Sequence, residues 1–243
     1  KKFGGPVTSS PAVCGGTIIF GCRDGRVYAY KPGGEPVWSY SSGAGIGASP
    51  ACDGGSVFCA DYNGSVFSLE LSSGDRRWLY KAGAKIVSSP VIMGSTLIVS
   101  TMDGRVVSLG KNDGERKWSQ KIGEAVWVTP CVRGDALLTA STDGSLIRMN
   151  VEGDIEWRVA PGGEIYSSPL CIEDRDLVRW PQVDVRGRHG IALVPGQRSQ
   201  RFLAEQHRVE QNHQPRSCFV VGQLLALDLD QRLDLDGEPL EDR

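Results

Sequence analysis

Apolar positions along this chain fall in short runs, each cut off by a glycine-rich break. "TIIFGC" (17–22) is followed by Asp24-Gly25, then "RVYAYK" (26–31), a Gly-rich turn and "PVWSYS" (36–41). β-Branched and aromatic residues fill these runs, which is strand composition. No stretch keeps an apolar residue every 3.6 positions long enough for a helix. The pairs Asp24-Gly25, Asn63-Gly64, Asp103-Gly104 and Asp143-Gly144 predict two-residue hairpin turns, because they supply the positive φ such turns demand.

The pattern repeats. Pro11, Pro50, Pro90, Pro130 and Pro169 end S-S-P or a close variant, 39 or 40 residues apart. The Asp-Gly or Asn-Gly pairs, the tryptophans Trp38, Trp78, Trp118 and Trp157, and the glycines Gly43, Gly83, Gly123 and Gly162 keep the same phase. Each unit of about 40 residues reads as a four-stranded antiparallel sheet. Radial packing of such sheets predicts an all-β chain, a β-propeller of four-stranded blades that is incomplete here.

"GAGIGASP" (43–50) imitates a dinucleotide-binding fingerprint. A true fingerprint follows a strand and opens a helix, whose N-terminus faces the pyrophosphate. This stretch leads into a strand, and Gly43 shares its phase with Gly83 in "KAGAKIVSSP" and Gly123 in "KIGEAVWVTP". It predicts a blade-to-blade turn.

The charge balance, 27 basic against 29 acidic side chains, gives no basic stripe for nucleic acid. No apolar run is long enough to span a membrane. The chain begins at Lys1 without Met, so it is expected to be a fragment or a processed product. None of the seven cysteines forms C-x-x-C. Cys14, Cys22, Cys52, Cys59, Cys131 and Cys171 lie in or beside apolar runs and are expected as small buried hydrophobic residues. That usage leans toward a reducing, cytoplasmic compartment, with the periplasm as the alternative.

The tryptophans lack the W-D and G-H pairs of WD40 repeats. The order S-S-P, D-G, small-x-acidic, G-x-x-x-W resembles the PQQ-type repeat of quinoprotein-like propellers, over residues 4 to about 178. Ser68–Trp78 and Ser108–Trp118 match the length of that family's segment before the tryptophan, while Ala29–Trp38 and Arg148–Trp157 are one residue shorter. The family's acidic position is Glu70 in the second unit but Gly110 and Asn150 in the next two. The resemblance implies that Trp38, Trp78, Trp118 and Trp157 dock between adjacent blades, each ring packed on a neighbouring peptide. The hydroxyls of Ser10, Ser49, Ser89, Thr129 and Ser168, beside the repeat prolines, are expected to satisfy local backbone groups.

Quinoprotein dehydrogenases of this fold hold PQQ and calcium with a vicinal Cys-Cys disulfide, a stacking tryptophan and a Glu/Asn/Asp set. This chain has no adjacent cysteines, and Asp24, Asp75 and Glu115 fall at turns. His189, His207 and His213 all lie late in the chain, without metal-ligand spacing. No catalytic, cofactor or metal residue is therefore assigned, and no cofactor is expected. The reading is a non-catalytic scaffold that binds a protein partner, within a parent protein that holds the remaining blades or domains. The alternative is a fragment of a PQQ- and calcium-dependent quinoprotein dehydrogenase. Two non-catalytic groups are similar: the periplasmic outer-membrane assembly lipoproteins, and the C-terminal propellers of β-alanine-activating, acyl-CoA-synthetase-like enzymes, which "IIFGCRDGRVYAY" (18–30) resembles.

Three residues before each repeat proline stand Thr8, Gly47, Val87, Trp127 and Tyr166. In a propeller this position lies near one mouth of the central channel. Trp127 and Tyr166, the large amphipathic members on consecutive blades, are the candidate partner-binding pair. The repeats occupy 1–178. Residues 179–243 hold no Lys, no Tyr, nine Arg and eight of the nine glutamines. They are expected to be a degenerate blade, with "CFVVGQLLALDLD" (218–230) as its hairpin, or non-native sequence that packs poorly.

Overall fold

The computed structural model describes residues 2–160, 163–172, 175–183 and 189–195. The first sheet comprises β1 (Ala12–Cys14), β2 (Thr17–Gly21), β3 (Arg26–Tyr30) and β4 (Pro36–Ser41), antiparallel and in chain order. The second comprises β5 (Ala51–Asp53), β6 (Ser56–Ala60), β7 (Ser65–Glu70) and β8 (Arg76–Lys81). The third is β9 (Val91–Met93), β10 (Thr96–Ser100), β11 (Arg105–Gly110) and β12 (Arg116–Lys121). The fourth is β13 (Cys131–Arg133), β14 (Ala136–Ala140), β15 (Leu146–Asn150) and β16 (Ile155–Val159). A three-stranded sheet follows: β17 (Leu170–Ile172), β18 (Arg175–Val183) and β19 (His189–Pro195).

The short first strands β1, β5, β9, β13 and β17 neighbour one another in that order, so the sheets are propeller blades arranged about an axis. The ring is open in the described residues. The fifth sheet carries strand structure past position 178 to Pro195. Residues 196–243, including 218–230, lie outside the described residues.

The core lies between blades. Val57, Cys59, Phe67 and Leu69 of the second blade pack on Ile19, Val27 and Ala29 of the first. Its other face, with Phe58, Ala60 and Val66, packs on Leu97, Val99, Val107 and Leu109 of the third. A strand buried on both sides needs no apolar–polar alternation, which is why "SVFCA" (56–60) is buried at every position. The equivalent outward face of the first blade carries Phe20, Tyr28 and Tyr30, which Phe3 partly covers.

Three sequence expectations change. First, the Asp-Gly turns are not two-residue hairpins. Cys22 N donates to Arg26 O, Gly25 N donates to Cys22 O, and only Gly25 has positive φ, at 85°. This is a three-residue loop closed by a left-handed glycine. Asp24 contributes through its carboxylate, which accepts Arg26 N at 3.1 Å, rather than through its own φ.

Second, the hydroxyls beside the prolines do not bond locally. The Ser49, Ser89, Thr129 and Ser168 hydroxyl oxygens accept the backbone N–H of Ser10, Ser49, Ser89 and Thr129 respectively, at 2.9–3.0 Å. Each blade thus satisfies a backbone donor of the blade before it. The orphan donor sits at a strand start, where the sheet has no partner to offer.

Third, four of the six cysteines expected as buried thiols are paired. Disulfides join Cys14 to Cys52 and Cys131 to Cys171, with Cα atoms 6.1 and 6.2 Å apart, a span a disulfide can bridge. Sequence spacings of 38 and 40 hide these pairs, because one repeat period returns the chain to the neighbouring first strand. Cys22 and Cys59 are free and buried, and burial raises both thiol pKa values.

Candidate functional site

One backbone bond recurs in every complete blade. The residue before each Asp-Gly or Asn-Gly pair donates its N–H to the connection entering the same blade. Arg23 N reaches Pro6 O, Tyr62 N reaches Gly45 O, Met102 N reaches Lys85 O and Thr142 N reaches Ala125 O, at 2.8–3.0 Å. These bonds hold the turn against the start of the first strand, so their side chains share one end of the blades. The repeat positions gathered there are Thr8 and Arg23 in the first blade, and Gly45, Gly47 and Tyr62 in the second. Lys85, Val87 and Met102 follow in the third, and Trp127 and Thr142 in the fourth. Glu164 and Tyr166 stand in the fifth. Unlike the prolines, tryptophans and turn glycines, these residues differ from blade to blade.

Trp127 and Tyr166 come together there. Their ring centroids lie 6.4 Å apart, edge to face at 70°, a favoured aromatic geometry. Both remain exposed, Trp127 at 45% and Tyr166 at 51%. The Tyr166 hydroxyl donates to Glu164 Oε2 at 2.9 Å, and that bond raises the phenol's pKa.

Tyr62 was not anticipated from sequence, although comparing the residue before each Asp-Gly or Asn-Gly pair singles out Arg23 and Tyr62 among Met102 and Thr142. Its ring lies in space that the 43–47 stretch leaves empty. A Cβ at Gly47 would overlap the Tyr62 hydroxyl, and one at Gly45 would press on the ring edge at 3.2 Å. The glycines that imitate a nucleotide fingerprint thus make a turn at Gly43, whose φ is 87°, and a seat for a tyrosine. The Arg23 guanidinium lies 5.7 Å and the Lys85 ammonium 4.7 Å from the Tyr62 ring centroid, both within cation–π range.

The repeat tryptophans lie at the opposite end of the blades. Trp38, Trp78 and Trp118 donate Nε1–H to the carbonyls of Leu71, Lys111 and Val151 on the following blade, at 2.8–3.0 Å. Each ring covers the glycine of the next G-x-x-x-W motif: Gly74, Gly114 or Gly153. Trp157, in the last complete blade, shares a blade face with Leu138 and Leu146 and packs on the buried cluster to which they belong.

The residues that a PQQ-and-calcium site would call on do not converge among the described residues. Asp24 accepts Gly4 N, Arg26 N and the Tyr28 hydroxyl. Asp75 accepts the Ser73 hydroxyl, and Glu115 pairs with Lys117. The paired cysteines join separate blades and form no vicinal bridge. Among the described residues no group of three or more His, Cys, Asp or Glu side chains is placed to hold a metal, and no helix is long and apolar enough to cross a membrane. His189 falls on β19, whose side chains, with His207 and His213, lie outside the description.

The family model described as outer membrane protein assembly factor BamB matches residues 2–92, 23–127 and 82–179. No curated protein matches the chain. Among solved structures, BamB from Moraxella catarrhalis superposes with a TM-score of 0.64 at 19% identity, over 77% of this chain and 61% of that one. The computationally designed Ika8 protein gives 0.63 at 13% identity, over 69% of this chain and 54% of that one. Quinohemoprotein alcohol dehydrogenase from Comamonas testosteroni gives 0.61 at 13% identity, over 79% of this chain and 40% of that one. At these identities the likeness shows the fold alone. The chain spans about 40–61% of the length of these structures.

Proposed function

The chain belongs to the family of the outer membrane protein assembly factor BamB, and from that membership we propose that it is a non-catalytic binding scaffold. It is a module of a larger protein and offers its channel mouth to a protein partner. The observation that carries this reading is the exposed Trp127–Tyr166 pair. Propeller architecture buries large apolar rings between blades, as it does for Phe58 and Phe67. The Trp127 and Tyr166 rings touch each other across two blades, yet each leaves about half its surface in water. Aromatic residues of this kind are enriched at the energetic centres of protein interfaces. The two disulfides fit an oxidising compartment, opposite to the expectation drawn from cysteine placement.

The test is photocrosslinking of the full chain in its native cell. A photoreactive amino acid replaces Thr142, at the mouth, or Ser73, at the opposite end of the blades. The expected result is one protein adduct from position 142 that disappears with Trp127→Ala or Tyr166→Ala. Equal adducts from both positions, or an adduct indifferent to both aromatic variants, overturns the reading. Retention of PQQ with calcium by the purified chain returns the quinoprotein alternative.

A further inference from the structure

We propose that Arg23, Tyr62 and Lys85 form a carboxylate-binding subsite for an acidic peptide segment, adjoining the Trp127–Tyr166 pair on the same mouth. The proposal rests on the scaffold reading and names the chemistry of its partner.

Several basic side chains of this chain meet carboxylates: Arg77 with Glu70, Arg105 with Asp103, Lys111 with Asp53, Lys117 with Asp113 and Arg148 with Glu156. Arg26, Arg76 and Lys81 meet the hydroxyls of Ser39, Tyr40 and Ser65. Others meet backbone carbonyls, as Arg158 does with Ile122. Arg23 and Lys85 form no ion pair among the described residues and turn instead toward one tyrosine ring. Arg23 has one further contact, from Nε to the Thr8 hydroxyl at 3.4 Å. Both cations are exposed.

Asp24 and Asp61 are the carboxylates next in sequence to Arg23 and Tyr62. Asp24 accepts from Gly4 N, Arg26 N and the Tyr28 hydroxyl, all within the first blade. Asp61 is fully buried. Its Oδ1 accepts Asn63 N and Ser65 N, and its Oδ2 has no partner. Neither aspartate pairs with Arg23 or Lys85. Each cation keeps N–H donors that its ring contact does not use, and a carboxylate bound beside the ring accepts from them.

The seat fixes the geometry. Gly45 and Gly47 leave the tyrosine a place that any side chain would fill, so the ring is a preformed platform. Preorganisation of this kind lowers the ordering cost of binding. Around the mouth, Val87 and Met102 follow Lys85, and Trp127 follows them. An extended peptide that lays an acidic side chain beside Lys85 therefore meets apolar and then aromatic side chains on the next blades.

The test uses a fluorescein-labelled peptide of eight alternating phenylalanine and glutamate residues, titrated into the full chain by fluorescence anisotropy. A peptide with glutamine in place of glutamate is the comparison. The glutamate peptide is expected to bind more tightly. Arg23→Gln and Lys85→Gln should each weaken it roughly two- to fivefold, the scale of an exposed ion pair, and leave the glutamine peptide unaffected. Arg77→Gln, whose partner is Glu70, should change nothing. Thermal melts check that each variant folds.

Equal affinity for the two peptides, or indifference to Arg23→Gln and Lys85→Gln, overturns the subsite. If Trp127→Ala still weakens both peptides, the scaffold reading survives that failure. Failure of both peptides to bind at millimolar concentration also overturns the subsite, and the crosslinking experiment then judges the scaffold separately. Displacement of the glutamate peptide by equimolar PQQ assigns the cations to a small polycarboxylate and overturns the peptide as occupant.

Discussion

The Trp78 ring lies on Gly114 of the following blade, and its indole N–H donates to the carbonyl of Lys111 at 3.0 Å. The contact joins two blades through one side chain and one missing side chain. Gly114 has φ of 70°, and a Cβ there would stand 2.6 Å from the Trp78 ring. Gly114→Ala therefore combines left-handed strain with overpacking. It should destabilise the chain by about 2–4 kcal/mol, read as a lowered urea midpoint with an unchanged slope. Gly94→Ala, where a Cβ meets nothing within 4 Å, carries the φ strain alone and should cost less.

The hydroxyl relay is open to the same kind of measurement. Ser89→Ala removes the acceptor for Ser49 N–H, at 2.9 Å. An orphaned backbone donor between blades should cost about 1–2 kcal/mol. Thr129→Ser keeps the acceptor for Ser89 N–H and should be nearly neutral. Equal costs for the two variants would show that packing, not the hydrogen bond, matters at this position.

Peptide mapping under non-reducing conditions should recover Cys14 linked to Cys52 and Cys131 linked to Cys171, with Cys22 and Cys59 unlinked. Each bridge closes a loop of about 40 residues, so reducing one should cost roughly 3–4 kcal/mol by the chain-entropy estimate. Alkylation of the folded chain should spare Cys59, whose thiol is buried and held protonated.

Asp24 and Tyr28 couple stability to pH from both ends. Burial pushes the Asp24 carboxyl up, but hydrogen bonds from the Tyr28 hydroxyl, Cys22, Gly4 and Arg26 outweigh it and leave it below its ordinary value of 3.8. Its contribution is present above pH 3.8 and is lost as pH falls through the lowered value. Burial, then the bond to Asp24, pushes the Tyr28 phenol from 10.0 up to about 12. Its contribution is present below pH 10.0 and is lost as pH rises toward 12. Tyr28→Phe should abolish that alkaline loss and raise the acid midpoint, measured by thermal melting across both ranges.

Much of this architecture was legible in the sequence because it is written four times over, with a fifth proline after that. Proline, the Asp-Gly or Asn-Gly turn and tryptophan recur with the repeat, and each answers a backbone or packing need that returns in every complete blade. Trp127 and Tyr166 were legible by the opposite logic, as large residues at a phase held elsewhere by Thr8, Gly47 and Val87. The Arg23–Tyr62–Lys85 cluster was not, because Arg23 and Lys85 lie 62 positions apart in sequence and meet at a ring from the blade between.

The sequence by itself determined the repeat period, the strand runs, the all-β class and the residues free to differ at the mouth. These are local matters: turn chemistry, side-chain shape and spacing along one chain. Only the tertiary structure decided which repeat touches which group. It turned Ser49 and Ser89 into partners for a neighbouring blade, paired Cys14 with Cys52, and gave the glycines of 43–47 a tyrosine to hold. The physical reason is that each blade's faces and strand starts are satisfied by the next blade. Their partners are set by the radial packing of whole sheets, one period away, and not by adjacent residues.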